Sequence, residues 1–254
     1  MFSEKLNLSG KTALITGSSQ GIGKGIAQTF AEYGANIILH YREDEIEAEK
    51  VAAEIRKFGV RVYMIKADLS EPDAVINIYN AVYEKVETLN ILVINASVQV
   101  PAEWTEVTES DFDLQVNTNF KATFQLMQKF APDMVKNGWG RILTLGSVQQ
   151  IKPHPSMIIY AAIKSAVLNL VQNVAIQLAD KGITVNNLAP GVIATPRIDE
   201  EVPEPEERIN NRLRTPSGKI GTPEDCAGVA LLLCSEAGNF ITGQNIFVDG
   251  GMSL

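Results

Sequence analysis

Short runs of aliphatic and β-branched residues recur along the whole chain, each followed by a longer stretch with helical spacing. The runs at 12–17, 36–41, 62–68, 91–97, 141–147, 184–190 and 245–250 predict seven strands. Most show no polar alternation, as expected of strands covered on both faces. In the first helical stretch Ile22, Ile26 and Phe30 stand four apart and make one apolar stripe. Another helix is predicted over 157–180. Strand–helix–strand repetition implies a parallel sheet, because every parallel crossover needs a long return. The expected fold class is therefore α/β: a doubly wound parallel sheet of about seven strands with helices on both faces, in one domain over 1–254. One segment breaks the rhythm. Residues 192–221 carry a Glu- and Pro-rich run, too polar for core and too long for an ordinary connection. Its place after a strand's carboxyl end predicts a lid over a substrate pocket. Thr222 as N-cap, Pro223 at the first helical position and the acidic pair Glu224-Asp225 start the next helix.

The 254 residues, 45% of them hydrophobic, can bury a sizeable core. A net charge of −8 with no basic stripe repels a phosphate backbone, so no nucleic-acid partner is expected. Residues 2–11 are mixed and charged, without an apolar leader, and apolar runs such as 91–94 and 230–234 are too short to span a bilayer. These features predict a soluble cytoplasmic protein with no membrane partner. Cys226 and Cys234 fall eight positions apart in one helical pattern, about 12 Å along the axis, too far to be bridged. They are expected to be core thiols. With His40 and His154 in no ligand spacing, no metal site is expected.

The first strand runs into Gly17-Ser18-Ser19-Gln20-Gly21-Ile22-Gly23, which opens directly into a helix. Glycines let such a loop turn tightly, approach a pyrophosphate and pack the helix close to the strand. The helix N-terminus adds unpaired N–H groups and a dipole that favours phosphate. A glycine cluster alone is a common turn. Between a first strand and a helix it has the context of a dinucleotide site.

Tyr160 and Lys164 stand four apart on the helix predicted at 157–180, so their side chains share a face. A phenol, with a pKa of about 10, is a poor base near neutrality, and a cation beside it favours the phenolate. Such a pair can give a proton to a carbonyl or take one from an alcohol. Ser147, thirteen positions before Tyr160, ends the strand feeding this helix, where its hydroxyl could hold a substrate oxygen. Each motif alone also has a plain structural reading, the serine as a turn starter.

Taken in order, Thr16 with its glycine loop, Asn95-Ala96, Ser147, Tyr160-x-x-x-Lys164, Pro190-Gly191 and Val248-Asp249-Gly250-Gly251 resemble the landmarks of the short-chain dehydrogenase/reductase family. The resemblance covers nearly the whole chain and points to the compact single-domain branch. It implies a Rossmann-type fold and hydride transfer between nicotinamide C4 and a carbonyl or secondary alcohol. It also implies a homotetramer or homodimer. Catalysis would rest on Ser147, Tyr160, Lys164 and Asn119, the last chosen over Asn117 because it precedes Phe124 by five. In the family this asparagine supports a water-linked proton relay from the lysine. Tyr160 and Lys164 also count among the cofactor contacts, Lys164 through the nicotinamide ribose. The glycine loop would contribute Gly17, Ser19, Gln20, Gly21, Ile22 and Gly23. Asp68, on the adenine, and Leu69 would follow the third strand, and Asn95, Ala96 and Ser97 the fourth. Pro190, Gly191, Ile193 and Thr195 would follow the sixth.

At the end of the second strand, NAD-preferring relatives place an acidic residue, whereas this chain has Tyr41 and Arg42. An arginine forms charge-assisted bonds to a 2′-phosphate, so NADP is preferred, with NAD the alternative. The non-basic Gln20 tempers that preference. The family's Asn-Asn-Ala-Gly after the fourth strand is Ile94-Asn95-Ala96-Ser97 here, and Ser97 adds a hydroxyl near the cofactor ribose. The polar run 148–154 suits a sugar acid, polyol or hydroxy/keto compound better than a steroid. A 3-oxoacyl-thioester reductase is the nearest alternative, and a catalytically silent nicotinamide-binding scaffold the alternative of another class. An intact set of four catalytic residues argues against the scaffold. His154 is expected to serve a turn.

Overall fold

A computed structural model describes residues 1–199 and 215–254. Seven strands form one sheet: β1 (Thr12–Ile15), β2 (Asn36–Tyr41), β3 (Val62–Lys66), β4 (Ile91–Ile94), β5 (Gly140–Leu145), β6 (Ile183–Pro190) and β7 (Asn245–Val248). Their order is β3-β2-β1-β4-β5-β6-β7, with every neighbouring pair parallel. The helices are α1 (Phe2–Lys5), α2 (Gly21–Glu32), α3 (Glu45–Arg56), α4 (Ala74–Tyr83), α5 (Glu109–Val116), α6 (Ala122–Lys136), α7 (Ile158–Leu178) and α8 (Pro223–Cys234).

The pleat sorts each strand's apolar run onto two faces. Ala13, Ile15, Ile37, Leu39, Ile91 and Val93 pack with α2, α3 and α8 through Ile26, Phe30, Val51, Ile55 and Leu231. Leu14, Ile38, Leu92 and Ile142 pack on the other face with α4, α6 and α7 through Ile78, Leu126, Phe130, Val167 and Val171. A fully buried side chain of this size contributes about 1.5–3 kcal/mol relative to exposure. Two such layers around one sheet explain why the strands show no polar face.

Five strands end earlier than the apolar pattern predicts. Residues 16–17, 67–68, 95–97, 146–147 and 249–250 lie beyond the strand ends at the carboxyl edge, where the Thr16, Ala67 and Gly146 N–H groups make a last backbone bond to the neighbouring strand. Four of these five stretches carry candidate site residues, namely Gly17, Asp68, Asn95 to Ser97, and Ser147, in the loops that follow the strands.

Helix α7, with the short 3-10 turns flanking it, is the one helix among the described residues long and apolar enough to cross a bilayer. It packs Ile163, Val167, Val171 and Ala175 against the sheet. Thr222 and Asp225 start α8 as the sequence predicts, the Asp225 carboxylate accepting the Thr222 N–H at 2.8 Å. Cys226 and Cys234 are free, buried thiols, and burial pushes both up to about 12. Half of the predicted lid at 192–221, residues 200–214, lies outside the described residues. At its two ends, Ile193 and Gly221 pair in a parallel bridge.

Candidate active site

Strand β1 pairs with β2 on one side and β4 on the other, and the chain leaves these strands in opposite directions. That reversal opens a crevice at their carboxyl ends, where ligands bind in sheets of this topology. Its floor is cross-tied. Thr16 Oγ1 accepts the N–H groups of Asn95 (2.9 Å) and Ala96 (3.0 Å). Asn95 Nδ2 returns bonds to the carbonyl oxygens of Thr16 (2.9 Å) and Gly17 (2.8 Å). Thr16 emerged from the sequence only as a landmark, and its hydroxyl proves to join the two strand ends.

The glycine loop has the shape of a phosphate cradle. Gly17 and Gly21 adopt φ of +61° and +55°, where a side chain would be strained. A Cβ on Gly23 would lie 2.3 Å from the Gly17 carbonyl oxygen, so only glycine lets α2 start this close to the loop. The N-cap Gln20 makes no side-chain cap bond, and no acidic residue occupies the first turn of α2. The first N–H groups of α2 therefore face the crevice with no carboxylate to oppose a phosphate, and the cradle fits a dinucleotide.

His40 braces this loop from beneath. Its buried Nδ1 accepts the Gly17 N–H at 3.1 Å, and its carbonyl accepts the Ser18 N–H at 3.0 Å. Burial is the main cause that pushes the imidazole down to about 4, against an opposing pull from Asp68. The ring of Tyr41 is buried in the core layer beneath α3, so the exposed group at this strand end is Arg42, paired with Glu43 at 3.0 Å. Burial pushes the Asp68 carboxyl up, but the Ser70 hydroxyl and N–H, together with Arg42 and His40, outweigh it and hold the group below its ordinary value. Leu69 is buried beside it.

Tyr160 and Lys164 lie buried on the sheet-facing side of α7. The Lys164 ammonium donates to the Leu145 carbonyl at the end of β5 and sits 5.3 Å from the centroid of the Tyr160 ring. Burial lowers the Lys164 pKa, Tyr160 opposes that shift and Arg197 adds to it. Ser147 caps a short 3-10 turn (Val148–Gln150), its Oγ accepting the Gln149 N–H at 3.2 Å. Gln150 accepts the Ser147 N–H at 3.4 Å and donates to the Lys164 carbonyl at 3.0 Å, linking the serine's turn to α7. The polar side chains of the run 148–154 bond mostly to residues just outside it. Gln149 reaches Met157 Sδ at 3.0 Å and accepts the His154 N–H at 3.4 Å. His154 caps the turn Pro155–Met157, the plain role expected of it.

Asn119 sits in a π-turn (Asn117–Lys121) between α5 and α6, a local widening that recurs at functional positions. Its Oδ1 accepts the Val98 N–H at 2.9 Å and its Nδ2 donates to the Val98 carbonyl at 2.7 Å. Both amide groups are thus committed to the β4 exit, and the π-turn packs against α7.

The exit of β6 completes the crevice. Pro190 ends the strand, and the Gly191 N–H donates to the Val248 carbonyl at 2.9 Å. A Cβ on Gly191 would lie 2.7 Å from Asp249 Cβ, which explains the glycine. Thr195 lies over Gly21, where a Cβ would meet its methyl group at 3.3 Å. Two residues on, Arg197 donates to Ser97 Oγ at 2.9 Å and to the Ser97 carbonyl at 2.6 Å. The sequence alone does not single out Arg197, since a lone arginine in a charged run looks solvated. Among the described residues, no three His, Cys, Asp or Glu side chains converge as metal ligands.

The chain matches the family model described as Enoyl-(Acyl carrier protein) reductase over residues 17–253. It is 35% identical over 244 residues to the 3-oxoacyl-[acyl-carrier-protein] reductase FabG of Staphylococcus aureus, covering 96% of this chain and 98% of that one. The structure resembles a crystal structure of 3-oxoacyl (acyl-carrier-protein) reductase from Agrobacterium tumefaciens C58 with NADP bound, at 36% identity and TM-score 0.90, covering 99% of this chain and 97% of that one. It likewise resembles a 7 alpha-hydroxysteroid dehydrogenase complexed with NADH and 7-oxo glycochenodeoxycholic acid, at 35% identity and TM-score 0.90, covering 98% and 96%.

Proposed function

Since the chain belongs to the short-chain dehydrogenase/reductase family, we propose that Tyr160, Lys164, Ser147 and Asn119 form its catalytic set. The protein is an NAD(P)-dependent oxidoreductase that interconverts carbonyl and hydroxyl groups. The observation that carries the assignment of residues is the buried Lys164 ammonium, tethered to Leu145 and set beside Tyr160. When bound in the crevice, the nicotinamide dinucleotide supplies or accepts the hydride. Tyr160 gives a proton to the carbonyl oxygen in reduction, and its phenolate takes one from the alcohol in oxidation. Lys164 favours that phenolate by its charge. Ser147 holds the substrate oxygen. Asn119 is a positioning residue, because its amide clamps Val98 and thereby the wall formed by Asn95, Ala96 and Ser97.

Gly17, Ser19, Gln20, Gly21, Ile22 and Gly23 hold the pyrophosphate, and Arg42 favours NADP over NAD. Asp68 and Leu69 border the adenine, while Pro190, Gly191, Ile193 and Thr195 border the nicotinamide. The substrate is a small hydroxy or keto compound such as a sugar acid, polyol or keto acid, with a 3-oxoacyl thioester as the runner-up. Its relatives act on substrates as different as acyl-carrier-protein thioesters and a steroid, so the site and not the family selects the substrate. We place the protein in the cytoplasm as a homodimer or homotetramer, on family grounds.

The test is nicotinamide absorbance with NADPH and NADH against sugar acids, polyols, diketones and acetoacetyl thioesters. Tyr160→Phe is expected to lower kcat by about 100- to 10,000-fold on the best compound. A variant as active as the wild type would remove Tyr160 as the acid/base.

A further inference from the structure

We propose that Gln150 is a positioning residue of this site, holding the Ser147 turn and helix α7 in one frame so that Ser147 and Tyr160 meet the same substrate oxygen. The proposal rests on the oxidoreductase reading above and adds to it a residue that acts through its neighbours. Ser147 lies where the sheet stops supporting the chain. The Gly146 N–H still bonds the Leu188 carbonyl, at 2.7 Å. Ser147 itself is extended, at φ −165° and ψ 151°, and opens a 3-10 turn of only three residues. Such short runs, with poorer hydrogen-bond geometry than an α-helix, give little rigidity of their own. Ahead of the serine, Lys164 Nζ ties α7 to the Leu145 carbonyl. Gln150 supplies the tie on the serine's other side.

One amide makes that tie in three directions. Gln150 Nε2 donates to the Lys164 carbonyl on α7 at 3.0 Å. Its Oε1 accepts two longer bonds, from the Ser147 N–H and from Asn187 Nδ2, both at 3.4 Å. Asn187 is fully buried on β6 and is itself fixed by its neighbours. Its Oδ1 accepts the Thr144 hydroxyl of β5 at 2.6 Å, and its Nδ2 donates to Asn245 Oδ1 of β7 at 2.6 Å. The serine's turn, α7 and three strands thus meet at Gln150. Gly146 leaves room for this junction. A Cβ there would lie 2.3 Å from Asn187 Nδ2 and 2.8 Å from Gln150 Oε1. Its φ is not positive, so the space and not the backbone calls for glycine. The junction bears on the chemistry because Ser147 and Tyr160 come from different elements. A misplacement of about 1 Å between them can cost about 100-fold in rate.

The experiment follows NADPH-dependent reduction of 5-ketogluconate, diacetyl and an acetoacetyl thioester, using whichever the wild type turns over fastest. Gln150→Leu removes donor and acceptor at similar size. Its kcat is expected to fall about 10- to 100-fold, while KM and the NADPH dissociation constant move less than about threefold. Gln150→Glu keeps an acceptor for Ser147 but turns an oxygen toward the Lys164 carbonyl, and should show the same split. Thr144→Val is the control, since it loosens Asn187 without touching the serine's turn, and its kcat should stay within about threefold of wild type. In a Ser147→Ala background, where the serine no longer needs placing, Gln150→Leu should cost less than about threefold more. Three outcomes overturn the proposal while leaving the oxidoreductase reading intact. One is a kcat within about threefold of wild type in both Gln150 variants. Another is a full, multiplied loss in the double variant, which would show that Gln150 does not act through Ser147. The third is an equal kcat loss in Thr144→Val, which would make Gln150 part of general packing. Turnover of no compound by a wild type that binds NADPH would overturn both readings.

Discussion

At residue scale, His40 ties the stability of the cofactor loop to pH. Its Nδ1 accepts the Gly17 N–H, which requires a neutral ring. With the folded group pushed down to about 4, the unfolded chain takes up a proton that the native one refuses. The contribution is complete above an unfolded pKa of about 6.5 and is lost as pH falls toward the folded value, by about 3 kcal/mol in all. Urea unfolding at about pH 7 and about pH 4.5 measures this. The wild type is expected to lose more stability between them than His40→Asn, and equal losses would remove His40 as the cause. The sequence placed this histidine in no site, because Gly17 and His40 are twenty-three positions apart and only strand pairing brings them together. The same holds for Arg197 and Ser97, a hundred positions apart.

At the scale of elements, the start of α2 is set by backbone approach rather than by side-chain chemistry. Gly23→Ala would put a Cβ 2.3 Å from the Gly17 oxygen and 2.5 Å from Asn95 Nδ2, both held by other bonds. The expected outcome is a loss of about 1–3 kcal/mol in stability. NADPH affinity, read by fluorescence titration, should fall at least about tenfold as the cradle widens. Gly59→Ala is the control: its φ is +81° and nothing lies within 4 Å of an added Cβ. It should cost about 1–2 kcal/mol of backbone strain and leave the titration unchanged. Equal NADPH losses in the two would show that general destabilisation, not the cradle, is being read. The π-turn at Asn117–Lys121 is the converse case. Helical spacing runs straight through it, and only the structure shows the widening at Asn119.

At the scale of the whole molecule, cofactor binding and folding are linked, since the cradle joins α2 to the ends of β1, β2 and β4. A dinucleotide at about 100 times its dissociation constant should stabilise the fold by about 3 kcal/mol. For a chain of this length that is a rise in Tm of roughly 5–10 °C. At equal concentrations NADPH is expected to give the larger rise, and Arg42→Ala to bring NADPH and NADH together, as followed by thermal unfolding. Equal shifts in the wild type would take the 2′-phosphate away from Arg42.

Periodicity, glycine placement and the Tyr160–Lys164 spacing were enough to predict seven parallel strands, two helical layers and the glycine loop. Each of these follows from contacts along one element or across one turn, so local order expresses them. The end of β1 at Ile15, the Thr16–Asn95 tie, the π-turn at Asn119 and the Arg197–Ser97 bridge were decided only in three dimensions. The sheet order brings the β1, β4, β5 and β6 exits to one edge, and residues distant in the chain meet there. Polarity shows the same division. The run 148–154 shows only as a polar pocket wall in one dimension, and the structure adds its partners: Gln149 joins His154 and Met157, and Gln150 reaches the Lys164 carbonyl on α7. Arg197, from the segment read only as a lid, stands at the crevice because the chain leaving β6 brings it to Ser97.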